Sequence, residues 1–230
     1  MQLRCLSMVP VFLTLAGCGS AAPPAEPVET SATEVASEQP VMGPERRILA
    51  FGNSLFAGYN VDIKDSYPAK LENSLRAKGI NARVINAGVS GDTTAAGLQR
   101  LNFTLDAQEA KPELFILELG GNDLLRGIQP AETRANMEAI LTELKERDIS
   151  VLLMGMRAPP NFGELQADFD NLYASLAAEH GAELVPFFME SIYDKPELIQ
   201  PDRIHPTEDG IETLVGATVS AVQGALPEAE

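Results

Sequence analysis

The stretch Asp202-Arg203-Ile204-His205-Pro206 is the first place to look for chemistry, because His205 is one of only two histidines in 230 residues and has a carboxylate three positions before it. An imidazole can take and return a proton near neutral pH, and a nearby carboxylate fixes its tautomer and stabilises the protonated ring. Pro206 biases His205 toward extended backbone, which puts the ring at a loop end. Thr207, followed by Glu208, Asp209 and Gly210 ahead of Ile211, Leu214 and Val215, has the form of a capped helix start. Alone, an Asp-x-x-His run reads equally as a loop whose polar groups cap that helix, so its meaning depends on partners elsewhere. Three other positions supply them: a hydroxyl at Ser54, a loop glycine at Gly91 and a carboxamide at Asn122. Acyl transfer needs this set: a nucleophile, a base oriented by an acid, and neutral donors for the oxyanion of a tetrahedral intermediate.

The elements that must position these groups are legible as alternating strand and helix patterns. Ile48 to Phe51, Arg83 to Asn86, Leu114 to Leu119, Val151 to Met154 and Leu184 to Phe187 are short β-rich or largely apolar runs, as expected of strands covered on both faces. Between them lie helical segments. Ser66-Tyr67-Pro68 opens one with an apolar face of Tyr67, Leu71 and Leu75, stopped at Gly79. Thr94 to Leu105 carries Leu98, Leu101 and Leu105. Pro130 to Arg147 carries Met137, Ile140, Leu141 and Leu144, and Glu164 to His180 carries Phe169, Leu172 and Leu176. Five strands alternating with helices predict an α/β fold, a three-layer α/β/α sandwich around a five-stranded parallel sheet. Ligands in such sheets bind beyond the carboxyl ends of the strands. The loops after those ends are the ones that carry Ser54, Gly91, Asn122 and, at some distance, Asp202 to His205.

Each residue has a plainer reading by itself. Ser54 could cap a helix, Asn122 could close the turn after Gly120 and Gly121, and the Gly88 to Gly91 loop could cradle a phosphate, although no GxxxxGKS or GxGxxG pattern is present. His180, next to Gly181, suits a helix C-terminus and is given no catalytic role. A metal centre is not expected: there are two histidines, no HExxH and no DxDxDG loop.

Taken jointly and in order, Ser54, Gly91, Asn122 and His205 resemble the SGNH hydrolase family, also called GDSL esterases, whose flavodoxin-like fold matches the predicted sandwich. The likeness runs from about Ile48 to the helix after Thr207. It is closest to the bacterial group of periplasmic thioesterase, arylesterase and lysophospholipase, through Ser90-Gly91-Asp92-Thr93, Leu119-Gly120-Gly121-Asn122-Asp123, Arg126-Gly127, Pro186-Phe187-Phe188-Met189 and Asp202 to Pro206. The resemblance implies Ser54 as nucleophile, His205 as base and then acid, and Asp202 as the residue that orients it. It implies an oxyanion hole made by the Ser54 and Gly91 amides and the Asn122 side chain, with no cofactor and no metal. The substrate would be a small acyl ester or thioester. By the same likeness Leu124, Leu125 and Ile128 would form one apolar wall of the acyl pocket, and Arg157, Pro159 and Phe162 another. No GxSxG elbow is present, which separates this reading from the α/β-hydrolases. One position departs from the family: Gly52-Asn53-Ser54 stands where Gly-Asp-Ser is usual. Serine activation by His205 does not need that carboxylate, so activity is expected to survive.

Before the domain, Met1 to Gly17 has Arg4 and then an apolar run from Cys5 to Ala16, too short to span a bilayer and shaped as a secretory signal. It continues Leu15-Ala16-Gly17-Cys18, which resembles the lipobox of bacterial lipoproteins, so Cys18 is the expected lipid-bearing residue. Gly19 after it, in place of Asp, points to the outer membrane. The expected organisation is a signal peptide at 1–17, a lipid anchor and disordered Ala/Pro/Glu tether at 18–45, and a hydrolase domain at 46–230, lipid-anchored in a bacterial envelope and facing the periplasm. Cys5 leaves with the signal and Cys18 is the anchor, so cysteine catalysis and disulfides are excluded together. A formal charge of −16 without a basic block excludes nucleic acid as a partner, and leaves the lipid as the contact with the membrane. Two further readings stay open: a carbohydrate acetylesterase on the same site, and a catalytically silent envelope lipoprotein that binds a ligand.

Overall fold

Residues 41–159 and 163–228 are described by the computed structural model. Apolar side chains that alternate along the strands are buried to both sides, and this is what makes three layers. In β1 (Arg46–Gly52), Ile48 and Ala50 pack into one cluster with α2 (Tyr67–Ala77) and α7 (Glu208–Ala225). Leu49 and Phe51 pack on the opposite face with α3 (Thr94–Asp106), α5 (Pro130–Glu146) and α6 (Glu164–His180). The remaining strands, β2 (Ala82–Gly88), β3 (Leu114–Glu118), β4 (Ser150–Met154) and β5 (Glu183–Val185), complete a parallel sheet in the order β2-β1-β3-β4-β5. The fold is the α/β/α sandwich read from the sequence.

The chain moves outward from β1 to β2 and then returns to the other side of β1, so the topological switch lies between β1 and β3. A crevice opens at such a point beyond the carboxyl ends of the two strands. Gly52, the last residue of β1, is in register with Glu118, the last of β3. Two short helices start there: α1 (Ser54–Ala57) after β1 and α4 (Gly121–Leu125) after β3.

Several element boundaries differ from the sequence reading by one or two residues. The last strand stops at Val185 and not at Phe187, since Pro186 has no N–H to give the ladder; the chain instead wraps Gly155, whose amide donates to the Val185 carbonyl and whose carbonyl accepts from Phe188 N, both at 2.8 Å. The third strand stops at Glu118, one residue before Leu119, as the chain approaches Gly120 at φ +111°. At the start of α2, Ser66 makes no capping bond, and its hydroxyl donates backward to the Ile63 carbonyl at 2.7 Å.

The site edge is tied to the core through Phe56 of α1. Its ring stacks on Tyr67 at 5.0 Å and meets Phe188 edge-on at 5.8 Å. Full burial of one such ring is worth about 2–3 kcal/mol, and each aromatic contact adds roughly 0.5–1.5 kcal/mol. Tight packing on the other side needs Gly88, where a Cβ would lie 2.4 Å from the Ala57 nitrogen.

Candidate active site

Ser54 opens α1 but does not cap it. Asn53 is the cap: its Oδ1 accepts from Leu55 N at 3.0 Å and makes only a longer contact, 3.4 Å, with the Ser54 hydroxyl. It points to His205, with Oγ 2.8 Å from Nε2, across 151 residues of sequence. The other ring nitrogen, Nδ1, lies 2.7 Å from Asp202 Oδ2. Asp202 Oδ1 in turn accepts the backbone amides of Ile204 at 2.9 Å and His205 at 3.0 Å, so the short loop folds on its own carboxylate. Arg203 takes positive φ, 63°, at the tip of that turn. Partial desolvation would raise the Asp202 carboxyl, but the amide and ring bonds from His205 and Ile204 outweigh it and hold the group at about 2. Asp202 is therefore ionised at neutral pH, which places the proton of a neutral His205 on Nδ1 and leaves Nε2 with a lone pair toward Ser54. Tyr59 stacks on the imidazole at 4.2 Å between centroids and fixes the plane of the ring.

The Gly91 and Asn122 loops are braced against each other. Asn122 Nδ2 donates to the Asp92 carbonyl at 2.9 Å, so one of its two protons is engaged and the other remains available. Arg126 Nη2 donates to the Gly91 carbonyl at 2.6 Å, and Arg100 joins Asp92, at 2.6 Å, to the Gly52 carbonyl, at 3.1 Å. Asp123 is fully buried and accepts from the Thr94 amide, the Thr94 hydroxyl and the Thr133 hydroxyl, which locks the start of α4 to α3 and α5. Among the described residues the amides of Ser54 and Gly91 have no protein acceptor, and each is free to donate to a ligand oxygen.

A cavity of about 270 Å³ adjoins Ser54 and Asn122. Leu124, Leu125, Arg157 and Pro159, four of the six residues read from the sequence as pocket walls, line this cavity. Ile128 does not: Gly127 turns the chain back at φ +68°, and the Ile128 amide donates to the Asp123 carbonyl at 2.9 Å. Phe162 lies outside the described residues, as does Cys18. Sequence reading missed Met156, Phe187, Met189, Tyr193 and Ile204, which make the cavity mostly apolar.

It also missed Glu118. This carboxyl is buried at the end of β3 and borders the same cavity. Its partner is Asn53, which donates its side-chain Nδ2 to Oε1 at 3.0 Å and its backbone N to Oε2 at 3.3 Å. Burial pushes the Glu118 carboxyl up to about 8 against the lowering effect of those two bonds. A lone acid at the end of an otherwise apolar strand was the signal that could have found it.

Among the described residues the one cluster able to share a cation is Glu138, Glu179 and His180. It stands at the other end of the sheet, with His180 sharing a surface hollow with Ser150, the first residue of β4, and Glu179 already paired with Arg134.

Known proteins resemble this chain in sequence and in fold. The sequence profile described as the GDSL-like Lipase/Acylhydrolase family matches residues 50–212. An arylesterase of Vibrio mimicus is 39% identical over 161 residues, covering 70% of this chain and 80% of the relative. The protein called thioesterase 1/protease 1/lysophospholipase L1 of Escherichia coli K12 is 40% identical over 163 residues, covering 70% and 76%. Among solved structures, AlinE4, an SGNH-hydrolase family esterase, is 63% identical with a TM-score of 0.69 over 81% of this chain and 100% of its own. TesA is 34% identical with a TM-score of 0.74 over 79% and 100%.

Proposed function

This chain belongs to the GDSL-like lipase/acylhydrolase family and is an SGNH-type ester hydrolase, and from that premise we propose that it cleaves acyl esters or thioesters with Ser54 as nucleophile, His205 as base and acid, and Asp202 as the orienting carboxylate. The observation that carries the reading is the unbroken proton path from Ser54 Oγ through the His205 ring to Asp202, with links of 2.8 and 2.7 Å. As Ser54 Oγ attacks the acyl carbon, its proton passes to His205 Nε2, and the ionised Asp202 stabilises the imidazolium that forms. Negative charge then gathers on the carbonyl oxygen, where the Ser54 and Gly91 amides and the free Asn122 Nδ2 proton donate without reorganising. His205 returns the proton to the leaving oxygen or sulfur. Water repeats the sequence on the acyl-enzyme and frees the acid.

The apolar lining favours an acyl chain over a sugar, in keeping with relatives named arylesterase, thioesterase and lysophospholipase. A series of p-nitrophenyl esters from acetyl to long-chain acyl tests this, together with labelling by a fluorophosphonate. Activity and labelling should both vanish in Ser54→Ala. A Ser54→Ala enzyme that still turns over, or a wild-type protein that never labels, overturns the assignment, and the second result would favour a ligand-binding lipoprotein. A strong preference for acetyl esters of polysaccharides would favour the acetylesterase reading. The same proposal places the enzyme in the bacterial envelope, held by lipid on Cys18 beyond a signal at 1–17 and a tether at 18–45, most simply in the outer membrane with the domain facing the periplasm. Cys18→Ser should then release the protein from the membrane fraction.

A further inference from the structure

We propose that Glu118 is a positioning residue for the nucleophile, and that Asn53 and Glu118 form a matched donor and acceptor pair that holds Ser54 in register with His205. The inference rests on Ser54 being the nucleophile. Asn53 is held at several points in a buried position: its Oδ1 caps α1 at Leu55 and stands 3.4 Å from the Ser54 hydroxyl, its carbonyl accepts from Ala57 N at 3.0 Å, and its Nδ2 and backbone N both end on Glu118. With the side chain oriented by Glu118, Oδ1 can face only the helix. If Asn53 turned over, its NH2 would meet the Leu55 amide, donor against donor, and the first turn that carries Ser54 would lose its cap. Glu118 also lies close over the strand end below: a Cβ on Gly52 would come within 2.8 Å of the Glu118 carbonyl and 3.0 Å of its Oε2, so glycine is what fits beneath it. Asn53 and Glu118 are 65 residues apart and meet only because β1 and β3 are neighbours in register.

The pairing makes a sharp chemical statement. Glu118→Gln keeps size, but where even the protonated carboxyl offers an oxygen that can accept at both positions, it sets an NH2 that cannot accept against a donor of Asn53 whichever way it turns. Adding Asn53→Asp reverses the side-chain bond. The amide introduced on β3 can donate to the carboxylate introduced before Ser54, while its own carbonyl accepts the backbone N–H there, and the remaining carboxylate oxygen still caps Leu55. The test is kcat and KM on p-nitrophenyl butyrate at pH 7 for wild type, Glu118→Gln, Asn53→Asp and the double variant, with Tm measured on each. Glu118→Gln should lower kcat more than threefold at a KM changed less than threefold, and the double variant should be more than threefold faster than Glu118→Gln alone. A smaller loss in the single variant, a loss confined to KM, or a double variant that is not rescued overturns the proposal, because a merely structural carboxyl would not be repaired by a second change at Asn53. Should Glu118→Gln fail to fold, Glu118→Asp shortens the reach to Asn53 by one methylene and faces the same threefold criterion on kcat. Ser54→Ala assayed alongside separates the two questions, since retained activity there sinks the nucleophile assignment whatever the pair does.

Discussion

Glu118→Gln should change how stability depends on pH, in a direction and by an amount that follow from burial. Glu118 is only 6% exposed, and its carboxyl rises from an ordinary 4.5 to about 8 in the folded protein. Below about pH 4.5 the group is protonated in both folded and unfolded chains and contributes no pH dependence. Between 4.5 and 8 the unfolded chain releases the proton and the folded chain keeps it, so stability falls by ~1.4 kcal/mol per pH unit, roughly 4–5 kcal/mol over the window. Glutamine removes this slope but leaves one donor of Asn53 without an acceptor, a loss of about 1–3 kcal/mol at any pH. The variant should therefore be the less stable protein at pH 5 and the more stable one at pH 8, with the curves crossing near pH ~6. Denaturant titrations at pH 5, 6, 7 and 8 give the difference directly, and the contributions of other titrating groups largely cancel in it. Tyr173 is pushed upward, first by its own burial and then by the Glu118 and Asp123 charges, and stays neutral across the window. A difference that stays flat within ~1 kcal/mol from pH 5 to 8, or that grows in favour of wild type, would refute the idea that this carboxyl is held protonated by its burial.

Other outcomes follow from single contacts. Asp202→Asn cannot accept the Nδ1 proton as an anion and favours the wrong tautomer of His205, so kcat/KM should fall by about 10²–10⁴, measured on a short p-nitrophenyl ester; a loss under tenfold would remove Asp202 from the proton path. Gly88→Ala drives a methyl group to 2.4 Å from the Ala57 nitrogen and should cost roughly 2–4 kcal/mol, seen as a lower Tm, while a variant as stable as wild type would show that α1 can shift freely. Asn53→Asp alone brings two buried carboxyls to the 3.0 Å now spanned by Asn53 Nδ2 and Glu118 Oε1, where they can share one proton. Its rate at pH 7 should stay within about tenfold of wild type, or ~1.4 kcal/mol of barrier. A thousandfold gain would mean that the natural protein is a degenerate enzyme.

The amino-acid sequence by itself determined the order and type of the elements, because periodicity is a local property: runs such as Leu114 to Leu117 are apolar on both sides, and Tyr67, Leu71 and Leu75 recur at helical spacing. It also determined which residue types stand after each strand, and so the candidates Ser54, Gly91, Asn122, Asp202 and His205. The ladder ends needed more. Pro186 shortened β5, yet the path taken around Gly155 depends on bonds between β4 and β5 that no local pattern contains. Tertiary structure alone decided that Asn53 and not Ser54 caps α1, that Tyr59 covers the His205 ring, and that Gly127 turns Ile128 away from the cavity. It alone decided that Glu118 lies under Asn53. A buried acid can be noticed in a strand, but its partner is set by which strand pairs with which and in what register, and that choice is made by the packing of the whole sheet between its two layers of helices.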